Sequence, residues 1–290
     1  MRTRSFTVQG LGLGLGLGLL TGLGLLTGCS GSSSGGDTQI AEAKSSLARD
    51  TSPSVPDADK TELASDNAKF ALDAYGSLAK SQSGNIFFSP YSISSALAMT
   101  YAGANGPTAT EMASALHFSL PQDRLHPAFD AADLSLTAAA PQTTDAEGNP
   151  VTPFTLHVAN SMWGYTKLTF GKPFLDTLAK NYGAGVFLED FVADPTGAEN
   201  QINDWVAKQT DDKIQKLLNH NVDQSTRFVL VDAICFDADW QTPFDKDSTA
   251  DGTFNTLTST STVSMMHNSE LTVPVAQTDT YYAIELPYNG

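Results

Sequence analysis

Helical periodicities come early in this 290-residue sequence and strand-like runs come late, which predicts a mixed α+β fold. Three stretches carry that expectation. Residues 85–112 open on Ser89-Pro90 and run through small and apolar side chains to Gly103 and Gly106, the pattern of a helix buried on nearly every side. Residues 227–240 are rich in Val, Ile and Phe on both faces, as a central strand covered above and below requires. Beyond them lie short runs of Thr, Ser and Val with turns at Asp251-Gly252 and Asn268-Ser269. An apolar fraction of 41% supports a sizeable core.

The elements follow in order along the chain. Arg2 and Arg4, then a Gly/Leu segment from Gly10 to Leu26, read as a secretory signal over residues 1–28. Leu26-Thr27-Gly28-Cys29 resembles the bacterial lipobox, which implies cleavage before Cys29 and diacylation of its thiol. By the same resemblance, Ser30 points to the outer membrane; the alternative is an ordinary cleaved signal with an incidental cysteine. Held by lipid rather than by a spanning helix, the mature protein is expected to be secreted, anchored at the cell surface and otherwise soluble. Residues 29–60, rich in Gly, Ser, Asp, Thr and Pro, have the chemistry of a flexible tether.

A first helix is expected from about Asp59, with Ala68, Leu72, Tyr75 and Leu78 as its buried stripe. Pro90 suits the first turn of the next helix, and Ser89 can cap its amides. In it Ile93, Leu97, Thr100 and Tyr101 recur at helical spacing, and Gly103 suits a left-handed terminal cap. Thr108 to Glu111 form a Thr-x-x-Glu box that opens a helix ending near His117, followed by another over 125–138. A loop at 141–152 leads into a strand at 154–165, a helix from Pro173 stopped by Gly183, and a strand at 186–191. Asp194-Pro195 opens a longer helix whose Ile202, Trp205 and Val206 should lie on the apolar strand, with Lys208, Asp211 and Asp212 facing water. Tyr281–Tyr288 reads as a strand, and Asn289-Gly290 is a strong two-residue hairpin signal, so a partner strand is expected to follow.

Charge excludes some functions. With 16 Lys and Arg against 32 Asp and Glu the formal charge is −16, which repels phosphate backbones and makes nucleic acid an unsuitable partner. The two cysteines, Cys29 and Cys235, sit in settings too different to bridge; Cys235 reads as a small core hydrophobe. Catalytic patterns fail on context. Gly31–Gly35 matches G-x-S-x-G, but inside the tether, and Ser77–Lys80 with Ser65-Asp66-Asn67 place S-x-x-K and S-D-N in reversed order on one helix. Asp245, Asp247, Thr249 and Asp251 alternate like a calcium loop, but no Glu closes the set, so a solvated loop is the expectation. The five histidines include no pair at metal-ligand spacing. No cofactor, no metal site and no enzyme are expected. Asp232, set amid Phe228, Leu230, Ile234 and Phe236, is the polar residue that demands hydrogen-bond donors from neighbouring elements.

The blocks FFSP-x-SI-x-x-ALAM-x-Y-x-GA-x-G-x-T-x-x-EM at 87–112, ANSMWG at 159–164, DF at 190–191, IN-x-WV from Ile202, FVLVDAICF ending in Trp240 and Phe244, and VSMMH and ELPY near the end together resemble the serpin family. The resemblance covers residues 61–290. It implies N-terminal helices packed on a large central mixed sheet, and a protease inhibitor that acts as suicide bait. In such proteins an exposed loop is cut and inserts as a new strand in the central sheet, dragging the protease with it. The partner would be a serine or cysteine protease, and the inhibitor a monomer. The resemblance places the final strands and the reactive loop after the LPY motif, so the reactive bond is expected beyond residue 290. It also makes Ser89, Ser92 and Asp232 a shutter holding the sheet closed and Trp240 the breach where the loop enters. Three departures stand out: Asp232 where Asn is usual, Cys235 where an aromatic is usual, and Asp237-Ala238 where Lys-Gly is common. The second reading is a serpin-fold surface binding protein, or inactive fragment, without inhibitory activity.

Overall fold

A computed structural model describes residues 40–290 apart from 83, 139–142, 145–149, 152–153, 211, 257, 270 and 290. The signal segment, Cys29 and the Gly31–Gly35 pattern lie outside the described residues. In chain order the elements begin β1 (Glu42–Ala43), α1 (Asp57–Ser81), α2 (Pro90–Tyr101), α3 (Gly106–Ala115), α4 (Gln122–Leu136), β2 (Thr143–Thr144) and β3 (Pro150–Val151). They continue β4 (Thr155–Tyr165), α5 (Lys172–Tyr182), β5 (Val186–Glu189), α6 (Pro195–Gln209), β6 (Phe228–Asp237), β7 (Asp245–Asn255), β8 (Thr260–His267), β9 (Val275–Gln277) and β10 (Tyr282–Ile284). The expected class, helices early and strands late, is the class observed.

Two compact units form. Of the described residues, the larger holds those from Ile40 to Ala138 together with Leu156–Cys235, and the smaller those within 139–155 together with the residues from Phe236 onward. In the larger unit a four-stranded sheet runs in the order β1-β5-β4-β6, mixed in direction: β1 is antiparallel to β5, and β5 parallel to β4. Among the described strands β6 therefore stands at the end of the order, not at its centre. It is covered on both faces all the same, because alternate residues point opposite ways. Val231 and Ala233 pack with Ile202 and Val206 of α6, as the apolar side of that helix requires, around the fully buried Trp163. Phe228 and Leu230 face Ala96 and Met99 of α2. Each large aliphatic side chain so enclosed contributes ~1.5–3 kcal/mol.

α2 is buried nearly all round, as its lack of charge demands: Ser92, Ser94, Ser95, Ala96, Ala98, Met99 and Tyr101 are all closed off from water. Gly103 has a different task from the expected left-handed cap. Its φ is not positive, and a Cβ there would lie 3.3 Å from the Phe174 ring, so close approach explains the glycine. Nor does the expected capping box form, since α3 starts at Gly106 with no side-chain cap. Gly183 is a left-handed stop for α5, with φ +64°.

Two expectations about the start of the domain are overturned. Residues 40–56 are not a free tether: β1 pairs with β5, Ser45 Oγ donates to Asp176 at 2.6 Å, and the Asp50 amide bonds the Lys180 carbonyl at 2.8 Å. Composition missed this because the fastening uses backbone pairing and single long-range polar contacts, which leave no periodicity. α1 buries a different stripe from the one expected. Asp59, Leu63 and Asp66 point inward, whereas Leu72 and Tyr75 are 73% and 54% exposed. Charge pairing decides the rotation: Arg124 holds Asp59, and the Ser119 amide and hydroxyl hold Asp66.

In the smaller unit β7 and β8 form a long antiparallel hairpin and β9 and β10 a short one. Asp245, Asp247 and Asp251 thus sit on a strand with a bulge, not in the solvated loop expected, and Asp245 turns its carboxylate to its own neighbours. The expected strand at 281–288 is paired only over 282–284, with a further bridge from Tyr288 to Trp240.

Candidate functional site

The candidate shutter is built where α2 begins. Pro90 fills the first helical turn, and Ser89 before it accepts the Ser92 amide on its hydroxyl oxygen at 3.3 Å. The two hydroxyls then bond each other at 2.8 Å. Ser92 is fully buried, so this pair is sheltered from water. Asp232 lies two residues beyond Leu230 on the face of β6 turned toward α2. The structure brings the serines together but does not join the aspartate to them: no hydrogen bond links Asp232 to Ser89 or Ser92, and its Oδ1 is buried without a partner. Burial pushes the Asp232 carboxyl up to about 7, against a weaker downward pull from the Ala233 amide. The carboxyl is a group the site tolerates rather than satisfies. Nearby, the Ser94 hydroxyl is likewise buried and unpaired.

Trp240 belongs to the smaller unit. Its ring stacks on Tyr288 with centroids 4.5 Å apart and 13° between planes, and meets Phe244 edge-on. Gln241 donates its amide to the Pro287 carbonyl at 2.9 Å and Asn289 donates to the Asp239 carbonyl at 2.9 Å, so backbone fastens both sides of the stack. Cys235 is buried, as its apolar setting demands, with the Lys213 ammonium 3.8 Å from its sulfur.

A second polar cluster carries no motif. His126 of α4, buried among Tyr101 and Tyr182, shares a 2.8 Å hydrogen bond between Nδ1 and the Tyr182 hydroxyl, and its Nε2 has no partner. Burial pushes its pKa down to about 4, so the ring is neutral. One turn along α4, Asp130 accepts from Arg49 Nε at 2.8 Å, and Asp133 from Arg49 Nη2 at 2.5 Å. The i, i+4 spacing of His126 and Asp130 among Leu125, Ala128 and Phe129 was a signal of buried polar residues open to reading in the sequence.

Among the described residues no group of three His, Cys, Asp or Glu side chains could hold a metal ion, and no helix is long and apolar enough to cross a membrane. What the arrangement offers is a sheet strand on which Asp232 keeps one carboxyl oxygen without a partner, facing a helix end whose hydroxyls are satisfied by each other.

Known proteins resemble this chain. The family model described as "Serpin (serine protease inhibitor)" matches residues 65–290. The leukocyte elastase inhibitor of Equus caballus is 37% identical over 234 residues, 79% of this chain and 58% of that protein. An uncharacterized serpin-like protein of Thermococcus kodakarensis is 34% identical over 221 residues, 76% of this chain and 49% of that protein. Among solved structures, ovalbumin of the emu superposes with a TM-score of 0.69 at 25% identity, over 78% of this chain and 60% of that one. The chain thus spans about half to three fifths of the length of the curated relatives it matches.

Proposed function

Because the chain belongs to the serpin family, we propose that it carries the framework of a serine protease inhibitor that acts as a suicide substrate. The observation behind this reading is the family match over 65–290 together with relatives named as elastase inhibitors at 36–37% identity. Proteins of this family inhibit proteases and are not themselves catalysts. In the proposed mechanism the target protease attacks an exposed loop, and before the acyl-enzyme hydrolyses the loop enters the sheet beside β6, carrying the enzyme with it. Strand addition of this kind draws on backbone pairing that the sheet has not yet made. Ser89, Ser92 and Asp232 are proposed as the shutter over that motion and Trp240 as the point of loop entry. The reactive bond is proposed to lie beyond residue 290. The partner is an elastase-like serine protease, with a cysteine protease as a lesser target, and the inhibitor acts as a monomer without nucleic acid.

The test is a complex-formation assay. The product of the complete reading frame is incubated with leukocyte elastase and separated under denaturing conditions, with the 290-residue chain alongside. A covalent adduct from the former and none from the latter supports the reading; an adduct from the 290-residue chain would show that the bait is misplaced.

One observation favours a second reading, a non-inhibitory surface binding protein: Asp232 makes no hydrogen bond to Ser89 or Ser92, which weakens the proposed shutter. No adduct from either form, with reversible binding to a protein target, would favour it. For location we propose anchoring through lipid on Cys29, which is the sole tie to a membrane in this reading. Labelled palmitate should appear in the wild-type protein and be lost in Cys29→Ser.

A further inference from the structure

Cys235, one of the departures from the family pattern, is the one thiol among the described residues. It lies two residues beyond Ala233 on the face of β6 turned toward α6. Lys213, just past the end of α6, donates its ammonium to the Cys235 sulfur at 3.8 Å. Carboxylates outnumber lysines and arginines 32 to 16 in this chain, yet this ammonium is turned to a thiol.

The backbone around Lys213 builds the pairing. Lys213 donates its amide to the Thr210 carbonyl at 2.9 Å, and the Ile214 amide donates to the Thr210 hydroxyl oxygen at 3.1 Å. Further on, Asn203 of α6 clasps Leu218, accepting its amide at 2.8 Å and donating to its carbonyl at 3.0 Å. Glu199, one turn earlier on α6, accepts the amides of His220, Asn221 and Val222. The segment carrying Lys213 is thus pinned on both sides, and the flexible four-carbon lysine stem has only the remaining gap to close. Lys213 is exposed and Cys235 keeps 8% of its surface, so a small oxidant reaches the sulfur from the lysine side.

We propose that Lys213 and Cys235 form a peroxide-sensitive covalent staple, joined on oxidation by hydrogen peroxide through a sulfur–nitrogen bond, a sulfenamide. First the sulfur attacks one peroxide oxygen and the O–O bond breaks. The thiol proton leaves with the other oxygen as water, and Cys235 becomes a sulfenic acid. Lys213, having released one proton to solvent, then attacks the sulfur with its nitrogen lone pair, and hydroxide leaves with a second nitrogen proton as water. Peroxide is reduced to two waters, the sulfur is oxidised by two electrons, and the chain loses two hydrogens. Dithiothreitol reverses the step, leaving as its cyclic disulfide and returning thiol and amine. The bridge fastens the segment after α6 to β6. The inference stands apart from protease inhibition, and neither outcome of the complex-formation assay bears on it.

The test uses the 290-residue chain carrying Cys29→Ser, which leaves Cys235 as its one cysteine. The folded protein is exposed to hydrogen peroxide at about pH 8, digested with trypsin without reductant and mapped by mass spectrometry. The expected result is a linked pair of peptides carrying residues 213 and 235, lighter than their sum by about 2 Da and separated by dithiothreitol. Lys213→Arg keeps the charge but offers no amine, so Cys235 should run on to the sulfinic acid, about 32 Da heavier, with no link. Treatment in concentrated urea should give no link either, because the two residues are no longer held together. Should Lys213→Arg fail to fold, the maps with and without urea carry the test. A link that survives in urea, a link to a different lysine, oxidation of Cys235 without a link in the folded chain, or an unoxidised Cys235 would each overturn the proposal.

Discussion

Asp232→Asn should stabilise this protein at alkaline pH and leave it unchanged in acid. The carboxyl titrates at about 7 in the folded protein and near 3.8 when unfolded. Between those values the folded chain carries one more proton than the unfolded chain, so this residue's contribution to stability falls as pH rises through the window. The full span corresponds to ~4 kcal/mol. Asp232 is only half-buried, and solvent reaching the group reduces that to ~2 kcal/mol. Asparagine copies the neutral carboxyl in shape but never ionises. The difference between variant and wild type should therefore be near zero at about pH 4 and ~2 kcal/mol at about pH 8, a rise of ~4–8 °C in thermal midpoint for a chain of this size. Glu189, which burial and then Asp194 push up to about 7, has the same sign but is present in both proteins and cancels. Thermal unfolding followed by circular dichroism at the two pH values decides the matter. An equal gain at both, or a gain confined to acid, would refute the claim that the charge is uncompensated.

His126 should act in the opposite sense. Its folded pKa of about 4 lies below the ordinary 6.5, so stability is lost as pH falls through that window, by up to ~3 kcal/mol, and His126→Gln should flatten the loss in urea titrations. Gly164→Ala places a Cβ 2.5 Å from the Phe170 ring and 3.1 Å from Val186, which should cost ~1–3 kcal/mol in chemical denaturation through overpacking. Gly183→Ala should cost ~1–2 kcal/mol by the same measurement, because the left-handed φ of +64° is strained for a side chain and the new Cβ would meet Arg49 at 3.1 Å.

Much of the architecture was legible because it is periodic. α2, α5, α6 and β6 announce themselves through apolar spacing, Pro at the first helical turn and Gly183 at a helix end, and each appears within a few residues of its expected place. Features that depend on one long-range contact were not legible. The inward turn of Asp59 and Asp66 is settled by Arg124 and by Ser119, more than fifty residues away, against a hydropathy pattern that favoured Leu72 and Tyr75. The strand at Asp245 is set by its partner His267 rather than by its own polar composition. For the site, the Ser-Pro signature placed Ser89 at the start of α2, and the family resemblance supplied Ser92. The missing bond at Asp232 could not be read, since it depends on where β6 and α2 come to rest. The cluster of His126, Tyr182 and Arg49 went unread for the same reason: its members meet only in three dimensions.

The fastening of residues 40–56 bears on where this domain is cut. A version started at residue 65, where the family match begins, would lose Arg49. Asp130, wholly enclosed and already raised in pKa by burial, would then keep its charge with no cation beside it and would have to take up a proton or open α4 to water. Trimming to the homologous boundary thus removes a counter-ion rather than a loose end, since contacts that hold the domain reach at least two dozen residues ahead of the family match.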